Sequence, residues 1–562
     1  MHEIPISATG RLREFAEAGM IALADFHLAR RMAHGFEDRD DVVLACALAV
    51  RELRHGSVCL PLATAHELKP TTEIDDGHEV APVALQWPEP DSWAAEVASS
   101  RIVGEGCPFT FVDGRLYLTR FYVQERQVAD ALAERRGLPI TDIFTVLEGT
   151  GDPDAAQDRA VEAAMRHMTS VVTGGPGTGK TTTVVRILNS LGAAAPISVA
   201  LAAPTGRAAR QLFDSVRGKL HDDATSEVTH GTLHRILGKR VRGPGATHHR
   251  DNPLPHDVVV LDESSMVSLE HMASLLDALA HTTRLVLVGD PHQLRSVEAG
   301  AVLADIVANP ALTQTGSVVE LQTNRRSNQD IAELARAIDA GDAEGALAMI
   351  EASSTIEWFD YDAQPIASLP RFRDDVRSTA LDVVAASSAG DAKSALAALR
   401  RHRVLCAHRL GRHGVQGWSR AAREVIAAAL PSYGAAERYV GQPLLLTQNT
   451  DAFNNGDVAV IVEQDGALVA AVDQGGQPLL VPPVLLEDAH DLHAMTIHKS
   501  QGGQYDTVSV VLPPVGSPLA TRELVYTGIT RARTALRIYG TREAFVESLA
   551  TPVRRASGLA SA

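Results

Sequence analysis

The stretch from Gly174 to Thr181, Gly-Gly-Pro-Gly-Thr-Gly-Lys-Thr, constrains the fold of this chain more than any other feature. It fits the phosphate-binding P-loop at every required position and follows the apolar strand candidate Val171-Val172. The glycines allow the backbone to curl so that successive N–H groups and the N-terminus of the next helix face the phosphates. Lys180 is predicted to reach the β- and γ-phosphate oxygens, and Thr181 to bind Mg²⁺. The predicted nucleotide-binding residues here are Gly174, Gly175, Pro176, Gly177, Thr178, Gly179, Lys180, Thr181 and Thr182.

The composition indicates a soluble, globular chain. At 562 residues it is long for one hydrophobic core, so about three or four domains are expected. Met1 to Phe15 lacks the continuous apolar core of a signal peptide, and no stretch approaches the length of a membrane span. We therefore expect a cytoplasmic protein. The net charge of -17 argues against coating of DNA by a generally basic surface, although a narrow basic channel is compatible with it.

The cysteines give no reason to expect a bound metal. Cys46, Cys59, Cys107 and Cys406 are widely scattered, and none belongs to a C-x-x-C pair. Zinc sites, iron–sulfur clusters and redox pairs need closely spaced cysteines or histidines. The sequence therefore predicts no metal beyond the Mg²⁺ that accompanies the nucleotide.

The first part of the chain is helical in character. Apolar residues recur at three- and four-residue steps within Arg11 to Leu53, and a short β unit follows at Phe109 to Leu118. After Asp154 the pattern changes to strands that alternate with helices, which indicates a parallel sheet covered on both faces. We therefore expect a helical N-terminal domain over 1–115 and a first α/β domain over 116–327. The strand candidates of that domain are Ser170 to Val172, Ile197 to Ala202, Val258 to Leu261 and Arg284 to Val288.

A second α/β domain is predicted over 328–562. It is interrupted at about 441–483 by short apolar strands and the turn pairs Asn455-Gly456 and Gly475-Gly476, which indicate a small inserted β module. The tail after Pro552 is rich in Ala, Ser and Arg, so we expect it to be frayed.

Two carboxylates, Asp262 and Glu263, follow the apolar strand candidate Val258 to Leu261. This is the arrangement expected across the sheet from a P-loop. Asp262 is predicted to hold Mg²⁺, directly or through water, and Glu263 to orient and deprotonate an attacking water. The alternative is that the pair caps the next helix.

Charge that develops during phosphoryl transfer needs further polar partners. Gln293, within Gly289 to Leu294, can donate to a γ-phosphate and accept from water, although an Asp-Pro turn explains part of this pattern equally well. Arg325 and Arg531 are candidates for an arginine that neutralises the transferred group when a cleft closes. Either arginine could instead make a structural salt bridge.

Seven short patterns occur in an order that resembles the superfamily-one helicases. They are the P-loop, 203–209, Asp262-Glu263, 289–294, Arg325, 495–502 and 526–531, and the match covers most of residues 150–545. Within that superfamily the chain resembles the RecD family, the α subunits of exodeoxyribonuclease V. This closer resemblance is carried by Gly56 to Leu62, Thr232 to Arg235 and Asn454 to Asp457.

The resemblance implies an α/β fold with two RecA-like P-loop NTPase domains that flank ATP. The predicted domains at 116–327 and 328–562 would be these two, with 1–115 docking to a partner. It further implies ATP-driven movement 5′ to 3′ along single-stranded DNA, from duplex ends, within a heterotrimer with RecB-like and RecC-like subunits. The implied process is double-strand break repair by homologous recombination.

Individual residues follow from the same resemblance. Gln157 matches the glutamine that reads adenine in the family. The residues that match DNA-lining segments of the family are Thr205, His234, Thr496, His498 and Ser500. Hydroxyls and imidazoles can bind phosphates without reading sequence. A capping or core role remains an open alternative for each of them.

Three alternative functions are a nuclease, a stand-alone helicase and a regulatory nucleotide-binding subunit. Glu67-Leu68-Lys69 has the E-x-K tripeptide of some nucleases but lacks the upstream Pro-Asp pair, so we expect strand cutting to belong to a partner subunit. A stand-alone RecD-like helicase would typically carry DNA-binding helical hairpins before the motor, and only residues 1 to about 150 precede it here. A regulatory nucleotide-binding assembly subunit is the other alternative. The intact Glu263, Gln293, Arg325 and Arg531 argue against it.

Overall fold

The computed structural model describes residues 4–70, 85–138, 155–221, 223–239, 245–324, 328–362, 364–450 and 452–561. Within these ranges the strands form two parallel sheets and two antiparallel sheets. The predicted α/β class is therefore confirmed. None of the helices in the same ranges is long and apolar enough to cross a membrane.

The N-terminal part combines helices with a small sheet. Its elements are α1 (Gly10–Glu17), α2 (Leu23–Ala33), α3 (Asp40–Arg54), β1 (Cys59–Pro61), α4 (Pro90–Ala98), β2 (Phe109–Val112), β3 (Arg115–Leu118) and α5 (Thr119–Gly137). Helix α3 is apolar on every face from Val42 to Val50, and the elements around it bury it completely. The antiparallel sheet has the order β1-β3-β2, so the boundary predicted at 115 falls at the first residue of a strand.

The first α/β lobe follows α5. Its elements are α6 (Ala155–Arg166), β4 (Thr169–Thr173), α7 (Lys180–Leu191), β5 (Ile197–Ala203), α8 (Gly206–Arg217), β6 (Thr225–Thr232), α9 (Leu233–Ile236), β7 (Val258–Leu261), α10 (Leu269–Asp277), β8 (Arg284–Gly289), α11 (Val302–Ala308), α12 (Pro310–Thr313) and β9 (Val318–Glu320). Its described strands form a parallel sheet of order β6-β5-β7-β8-β4-β9.

All four strands predicted for this lobe are confirmed, and each is largely buried, as expected for a sheet covered on both faces. Two further strands escaped the sequence analysis. Strand β6 lies at an edge and is half exposed, so its sequence lacks an apolar run. Strand β9 has only three residues.

The rest of the chain forms the second lobe and its insertion. The elements in chain order are α13 (Gln329–Ala340), α14 (Ala343–Ala352), β10 (Ile356–Asp360), α15 (Pro370–Ser388), α16 (Ala392–Leu399), β11 (His402–Cys406), α17 (Val415–Ala429), β12 (Pro443–Leu445), β13 (Val458–Gln464), β14 (Ala467–Gln474), β15 (Gln477–Val481), β16 (His490–Asp491), β17 (Ala494–Thr496), β18 (Tyr505–Val511), α18 (Arg522–Ile529), β19 (Ala532–Gly540) and α19 (Arg542–Ala550). The parallel sheet of this lobe has the order β10-β19-β18-β11-β17.

The inserted β module is an antiparallel sheet of order β15-β14-β13-β12-β16. Gly475-Gly476 forms the two-residue turn between β14 and β15, with φ angles of +65° and +93°. Glycine adopts such angles without strain, and turns of this kind match the twist of paired strands. The module extends beyond 483 because β16 returns to pair with β12.

The residues after Pro552 pack against the rest of the molecule, so the prediction of a frayed tail is wrong. Leu559 is 2% exposed and lies in the hydrophobic core of the first lobe. The carbonyl of Leu559 accepts a hydrogen bond from Asn309 Nδ2 at 3.2 Å. The partners of this tail come from distant parts of the sequence, which a local reading of composition cannot reveal.

Candidate nucleotide-binding cleft and motor site

The P-loop connects β4 to α7 and depends on its glycines. Gly174 has a φ of +152°, and a Cβ there would lie 2.6 Å from the carbonyl oxygen of Leu321. Gly179 has a φ of +90°, and a Cβ there would lie 2.7 Å from Gln157 Nε2. Helix α7 begins at Lys180, and its N-cap residue is Gly179, which has no side chain with which to cap the helix. The first N–H groups of this helix are thus available to an anion.

Lys180 lies folded over the loop. Its Nζ donates hydrogen bonds to the carbonyl oxygens of Gly174 and Gly175, at 2.5 and 3.0 Å. Thr178 Oγ1 donates to the carbonyl of Gly175 at 2.8 Å and stabilises the curl. A phosphate oxygen is a stronger acceptor for the ammonium than either carbonyl, because hydrogen bonds between charged groups are shorter and stronger.

A cleft in front of the loop is lined by both lobes. The lining residues of the first lobe include Lys180, Thr181, Thr182, Asp262, Glu263 and Gln293, and those of the second include Gly502, Gln504 and Arg531. Strands β4 and β7 lie in the same parallel sheet, so the P-loop and the carboxylates that follow these strands meet at one edge. The structure therefore brings together the P-loop, the carboxylate pair and Gln293 of the first lobe with Arg531 of the second lobe.

The carboxylates after β7 face this cleft. Glu263 has a φ of +49°, a left-handed conformation that a residue with a side chain rarely adopts and that clusters at functional sites. Asp262 Oδ1 accepts a hydrogen bond from the backbone N–H of Glu263 at 2.8 Å. Burial and then the charge of Glu263 raise the pKa of Asp262. Helix α10 is capped by Ser268 instead, so the capping alternative is not realised.

Gln293 belongs to a hydrogen-bonded cluster that joins the two lobes. Its Nε2 donates to Asp290 Oδ2 at 2.9 Å, and the Tyr526 hydroxyl donates to the same oxygen at 3.1 Å. Within the described residues, Gln293 Oε1 is buried and has no hydrogen-bond partner. The next residue, Leu294, donates its N–H to Thr527 Oγ1 at 2.8 Å. A shift of α18 therefore reaches the Gln293 side chain through Asp290 and through the adjacent Leu294.

Arg531 is 2% exposed and points into the same region. Its Nε donates to the carbonyl of Thr527 at 3.0 Å, and its Nη1 to the carbonyl of Gly503 at 3.4 Å. These acceptors are neutral oxygens, and the described part of the chain contains no salt bridge of Arg531. Within the described residues the Arg531 guanidinium thus bonds to neutral acceptors and faces the cleft. Arg325, the other candidate, lies outside the described residues.

Gln157 lies on α6 beside the loop and is 3% exposed. Its Oε1 accepts a hydrogen bond from Arg186 Nη1 at 3.3 Å. In the described part of the chain its Nε2 is buried without a partner. A buried donor without an acceptor is costly, so this amide fits a ligand atom next to the P-loop.

Sequence reasoning missed the polar groups that flank the other side of the loop. His292 Nδ1 and Asp339 Oδ1 form an ion pair between the lobes at 2.6 Å. The hydrogen bond to Asp339 raises the pKa of His292 above its ordinary value. Burial beside Asp290 raises the pKa of Tyr526. Tyr526 stood inside a recognised motif, whereas nothing in the sequence relates His292 to Asp339.

The two DNA-lining candidates of the first lobe, Thr205 and His234, differ in the hydrogen bonds that their side chains already make. Thr205 is the N-cap of α8, and its Oγ1 accepts the N–H of Ala208 at 3.2 Å. His234 is partly exposed, and its Nε2 lies 2.8 Å from the Nε2 of His271. Burial and the nearby Lys239 charge lower the pKa of both imidazoles. Among the described residues, no hydrogen bond joins Thr205 or His234 to the candidates of the second lobe.

Those second-lobe candidates follow β17 in one short segment. Thr496 is 8% exposed, and its Oγ1 accepts the N–H of Lys499 at 3.3 Å. Ser500 is fully buried, and its hydroxyl donates to the carbonyl of Ile497 at 2.6 Å. His498 is half-buried, and burial together with the charges of nearby arginines lowers its pKa. The two hydroxyls thus have capping partners, while the imidazole is more accessible.

Family models match most of the chain. The N-terminal domain of the RecBCD enzyme subunit RecD matches residues 17–117, an AAA domain matches residues 153–361, and a UvrD-like helicase C-terminal domain matches residues 491–539. Together they span the N-terminal helices, the first lobe and the motifs of the second lobe.

Individual proteins are similar over nearly the whole length. The chain is 41% identical over 571 residues to the RecBCD enzyme subunit RecD of Mycolicibacterium smegmatis, covering 98% of each chain. It is 40% identical over 580 residues to that of Mycobacterium tuberculosis, covering 99% of this chain and 97% of the other. A crystal structure of Pif1 helicase from Bacteroides in complex with ADP-AlF3 and ssDNA matches with a TM-score of 0.40 and 15% identity, over 70% of this chain and 94% of that chain. The resemblance read from the motifs is confirmed by the two near-full-length relatives, and the chain belongs to the RecD family of RecBCD enzyme subunits.

Proposed function

We propose that this RecD-family chain is an ATP-hydrolysing motor that moves 5′ to 3′ along single-stranded DNA. It acts in the cytoplasm as the helicase subunit of a RecBCD-type helicase-nuclease, together with RecB-like and RecC-like subunits. It opens duplex ends during double-strand break repair by homologous recombination. The observation that carries the proposal is the cleft shared by Lys180, Glu263 and Gln293 of one lobe and Arg531 of the other.

The residues of this cleft fit Mg²⁺ and ATP. The Thr181 hydroxyl and the Asp262 carboxylate are hard oxygen donors of the kind that Mg²⁺ prefers, and both line the cleft. The unpartnered Nε2 of Gln157 lies beside Gly179, where it can donate to the adenine base. ATP bound with Mg²⁺ supplies the phosphoanhydride bond whose cleavage drives the motor.

Each protein group then has a distinct task. Lys180 and the N-terminus of α7 bind the phosphate oxygens. Glu263 accepts the proton of the attacking water, which general-base catalysis requires within hydrogen-bond reach. Arg531 stabilises the negative charge that develops on the transferred group when the lobes close. Arg325 is proposed for the same task.

Coupling between hydrolysis and movement is assigned to the cluster around Asp290. Gln293 senses whether the γ-phosphate is present, and the same carboxylate holds Tyr526 of α18. A change at the phosphate therefore alters a contact between the lobes. Alternating closure and opening of the lobes moves the strand that lies along Thr205, His234 and the 496–500 segment.

The proposed partners follow from the N-terminal part. Residues 17–117 match the RecD N-terminal domain model, and we assign this part to docking with the partner subunits. Strand cutting is assigned to a partner.

Lys180→Gln tests the ATPase. The variant is expected to lose DNA-stimulated ATP hydrolysis by at least about a hundredfold, because a preorganised charge at the phosphates is removed. Its thermal unfolding midpoint should stay near that of the unmodified chain. Lys219→Gln, at an exposed lysine just beyond α8, is the matched control and should hydrolyse ATP normally. Undiminished hydrolysis by Lys180→Gln would contradict the mechanism and favour a regulatory nucleotide-binding subunit.

Unwinding of duplexes with a 5′ or a 3′ single-stranded tail tests polarity and assembly. We expect the 5′-tailed duplex to be opened by the reconstituted complex whose RecB-like motor carries its own P-loop Lys→Gln change. The isolated chain should open neither substrate efficiently. Efficient unwinding by the isolated chain would instead favour a stand-alone helicase, and opening of only the 3′-tailed duplex would contradict the proposed polarity.

A further inference from the structure

The residues from Val553 to Leu559, here called the C-terminal strap, cross from the second lobe to the first. At one end the N–H of Val553 donates to Glu523 Oε2 on α18 at 2.9 Å. At the other end the N–H of Gly558 donates to Glu125 Oε2 on α5 at 2.9 Å, and Leu559 enters the core of the first lobe. Both ends of the strap are therefore held.

The middle of the strap is held by the N-terminal part. The N–H of Val58 donates to the carbonyl of Ala556 at 2.7 Å, and the N–H of Ala556 donates to Ser57 Oγ at 3.2 Å. Val553 and Arg555 are two residues apart, so the chain between them spans at most about 7 Å. A segment anchored this often has little slack, so movement of α18 relative to the first lobe pulls on Arg555.

Arg555 binds one particular loop of the first lobe. Its Nη2 donates to the carbonyl of Ser296 at 2.6 Å, and its Nη1 donates to the carbonyls of Glu298 and Gly300 at 3.2 and 3.0 Å. A planar guanidinium presents its donors in a rigid fork, so a single side chain can bind alternate carbonyls of a turning backbone. Burial lowers the pKa of Arg555 to about 10, which leaves it charged at neutral pH.

The loop from 293 to 300, here called the coupling loop, connects the two sites of the motor. It begins at Gln293 in the nucleotide cleft. Near its other end, Glu298 Oε2 lies 3.4 Å from His271 Nδ1, and His271 contacts the DNA-lining candidate His234. Between them Val297 is 82% exposed. The position of this loop therefore affects the phosphate side and the proposed DNA side together.

Gly56 of the N-terminal part makes room for the guanidinium. Its φ is +88°, and a Cβ built there would lie 2.5 Å from Arg555 Cζ. The N–H of Gly300 also donates to the carbonyl of Gly56 at 2.9 Å. The N-terminal part, the strap and the coupling loop thus meet at one arginine.

We propose that Arg555 is a positioning residue that seats the coupling loop, so that DNA binding is transmitted to the nucleotide cleft and accelerates ATP hydrolysis. The inference rests on the proposed function, because it assigns a part in that motor to the strap. Without the guanidinium, the carbonyls of the loop turn to water and the loop no longer follows α18.

The test compares Arg555→Ala with Arg554→Ala in the full-length chain. Arg554 is the matched control, since its exposed side chain pairs with Glu67 on the surface and with no other acidic side chain that the structure describes. ATP hydrolysis is measured with and without a single-stranded oligo-dT, giving kcat, KM for ATP and the half-saturating DNA concentration. In Arg555→Ala the DNA-stimulated kcat should fall about tenfold, the size of a typical coupling between sites. Its KM for ATP should stay within about twofold, and Arg554→Ala should match the unmodified chain.

Two further variants keep the inference falsifiable if Arg555→Ala folds poorly. Arg555→Lys keeps the charge but loses the fork, and it should restore part of the stimulation. Gly56→Ala displaces the guanidinium from another part of the sequence and should also lower the stimulated kcat. Its control is Gly35→Ala, at a φ of +81°, where no atom of a described residue lies within 4 Å of the new Cβ. Both glycine changes strain the backbone, but only Gly56→Ala should alter DNA stimulation.

Failure of the positioning role of Arg555 can be distinguished from failure of the proposed motor function. If DNA does not stimulate hydrolysis by the unmodified chain, the proposed function fails and the role of Arg555 fails with it. If DNA stimulates the unmodified chain and the Arg555 and Gly56 variants equally, the proposed function stands and the positioning role is wrong. A KM for ATP that rises in parallel with the loss of kcat would also overturn it, because the arginine would then support only the shape of the cleft.

Discussion

The nucleotide cleft and the segments predicted to line the DNA path differ in how their polar groups are satisfied. Within the described residues, two buried groups at the cleft have no partner: Gln293 Oε1, on a residue that lines it, and Gln157 Nε2, beside Gly179 of the P-loop. In the segment predicted to line the DNA path, by contrast, the hydroxyls of Thr496 and Ser500 already form hydrogen bonds with backbone groups three residues away. Unsatisfied buried groups are costly, so a protein retains them where a ligand completes them. The cleft thus offers unsatisfied polar groups to a ligand, whereas these two hydroxyls of the predicted DNA path are already engaged.

The largest effect is expected at Arg531. Arg531→Gln removes the positive charge that would stabilise the transferred phosphoryl group. The kcat for DNA-stimulated hydrolysis should therefore fall by about a thousandfold. Steady-state hydrolysis at saturating ATP and DNA measures this. The control is Arg533→Gln, at an exposed position two residues further along. If both variants hydrolyse ATP at the same rate, Arg531 has no catalytic role, and the second lobe does not complete the cleft through this residue.

An intermediate effect should separate His498 from Ser500. His498→Ala should raise the half-saturating concentration of single-stranded DNA about tenfold, because the loss of one hydrogen bond to a charged phosphate costs about 1.5 kcal/mol or more. Ser500→Ala should change it by less than about twofold, since the hydroxyl is engaged with Ile497, but should lower the thermal unfolding midpoint. Fluorescence titration with labelled oligo-dT measures the affinity. The reverse order of effects would break the comparison.

The smallest effect concerns the ion pair between His292 and Asp339 beside the P-loop. The pKa of His292 is raised in the folded protein, so the pair stabilises it fully below the ordinary histidine pKa of about 6.5. This contribution is lost as the pH rises through the raised value. Both side chains are more than a third exposed, so less than about 1 kcal/mol is expected. Between pH 6 and pH 9 the thermal unfolding midpoint of the unmodified chain should fall slightly as the pair is lost, and His292→Gln should abolish this pH dependence. If the variant has the same pH profile as the unmodified chain, the ion pair does not stabilise the contact between the lobes.

Much of the architecture could be predicted because it is encoded locally. The strands β5, β7 and β8 contain apolar runs of four or more residues. Strand β4 has only the pair Val171-Val172, but the P-loop that follows it has a fixed spacing. Strand β6 was missed because an edge strand need not be apolar on both faces. The family resemblance identified Gln157 and the DNA-lining candidates, but it gave no information on whether their side chains were already engaged.

Relations between distant residues could not be predicted in this way. The contact between Tyr526 and Asp290 joins positions 236 residues apart, and the pair of His292 with Asp339 joins a loop to a helix of the other lobe. Neither pair leaves a periodic or spaced signal. The tail after Pro552 is the clearest error, because its richness in Ala, Ser and Arg concealed a segment whose hydrogen-bond partners lie in the N-terminal part and in both lobes.

The sequence by itself determined the class of this protein: a P-loop at fixed spacing, buried parallel strands, carboxylates at their ends and an ordered set of helicase motifs. These features depend on backbone geometry within a few residues, so the chemistry of neighbouring side chains is enough to specify them. Only the tertiary structure decided which polar groups at the cleft have no partner among the described residues, and that Arg555 of the C-terminal strap holds the coupling loop. Such contacts form only after the chain has brought remote segments together, and their energies depend on burial and distance rather than on sequence separation.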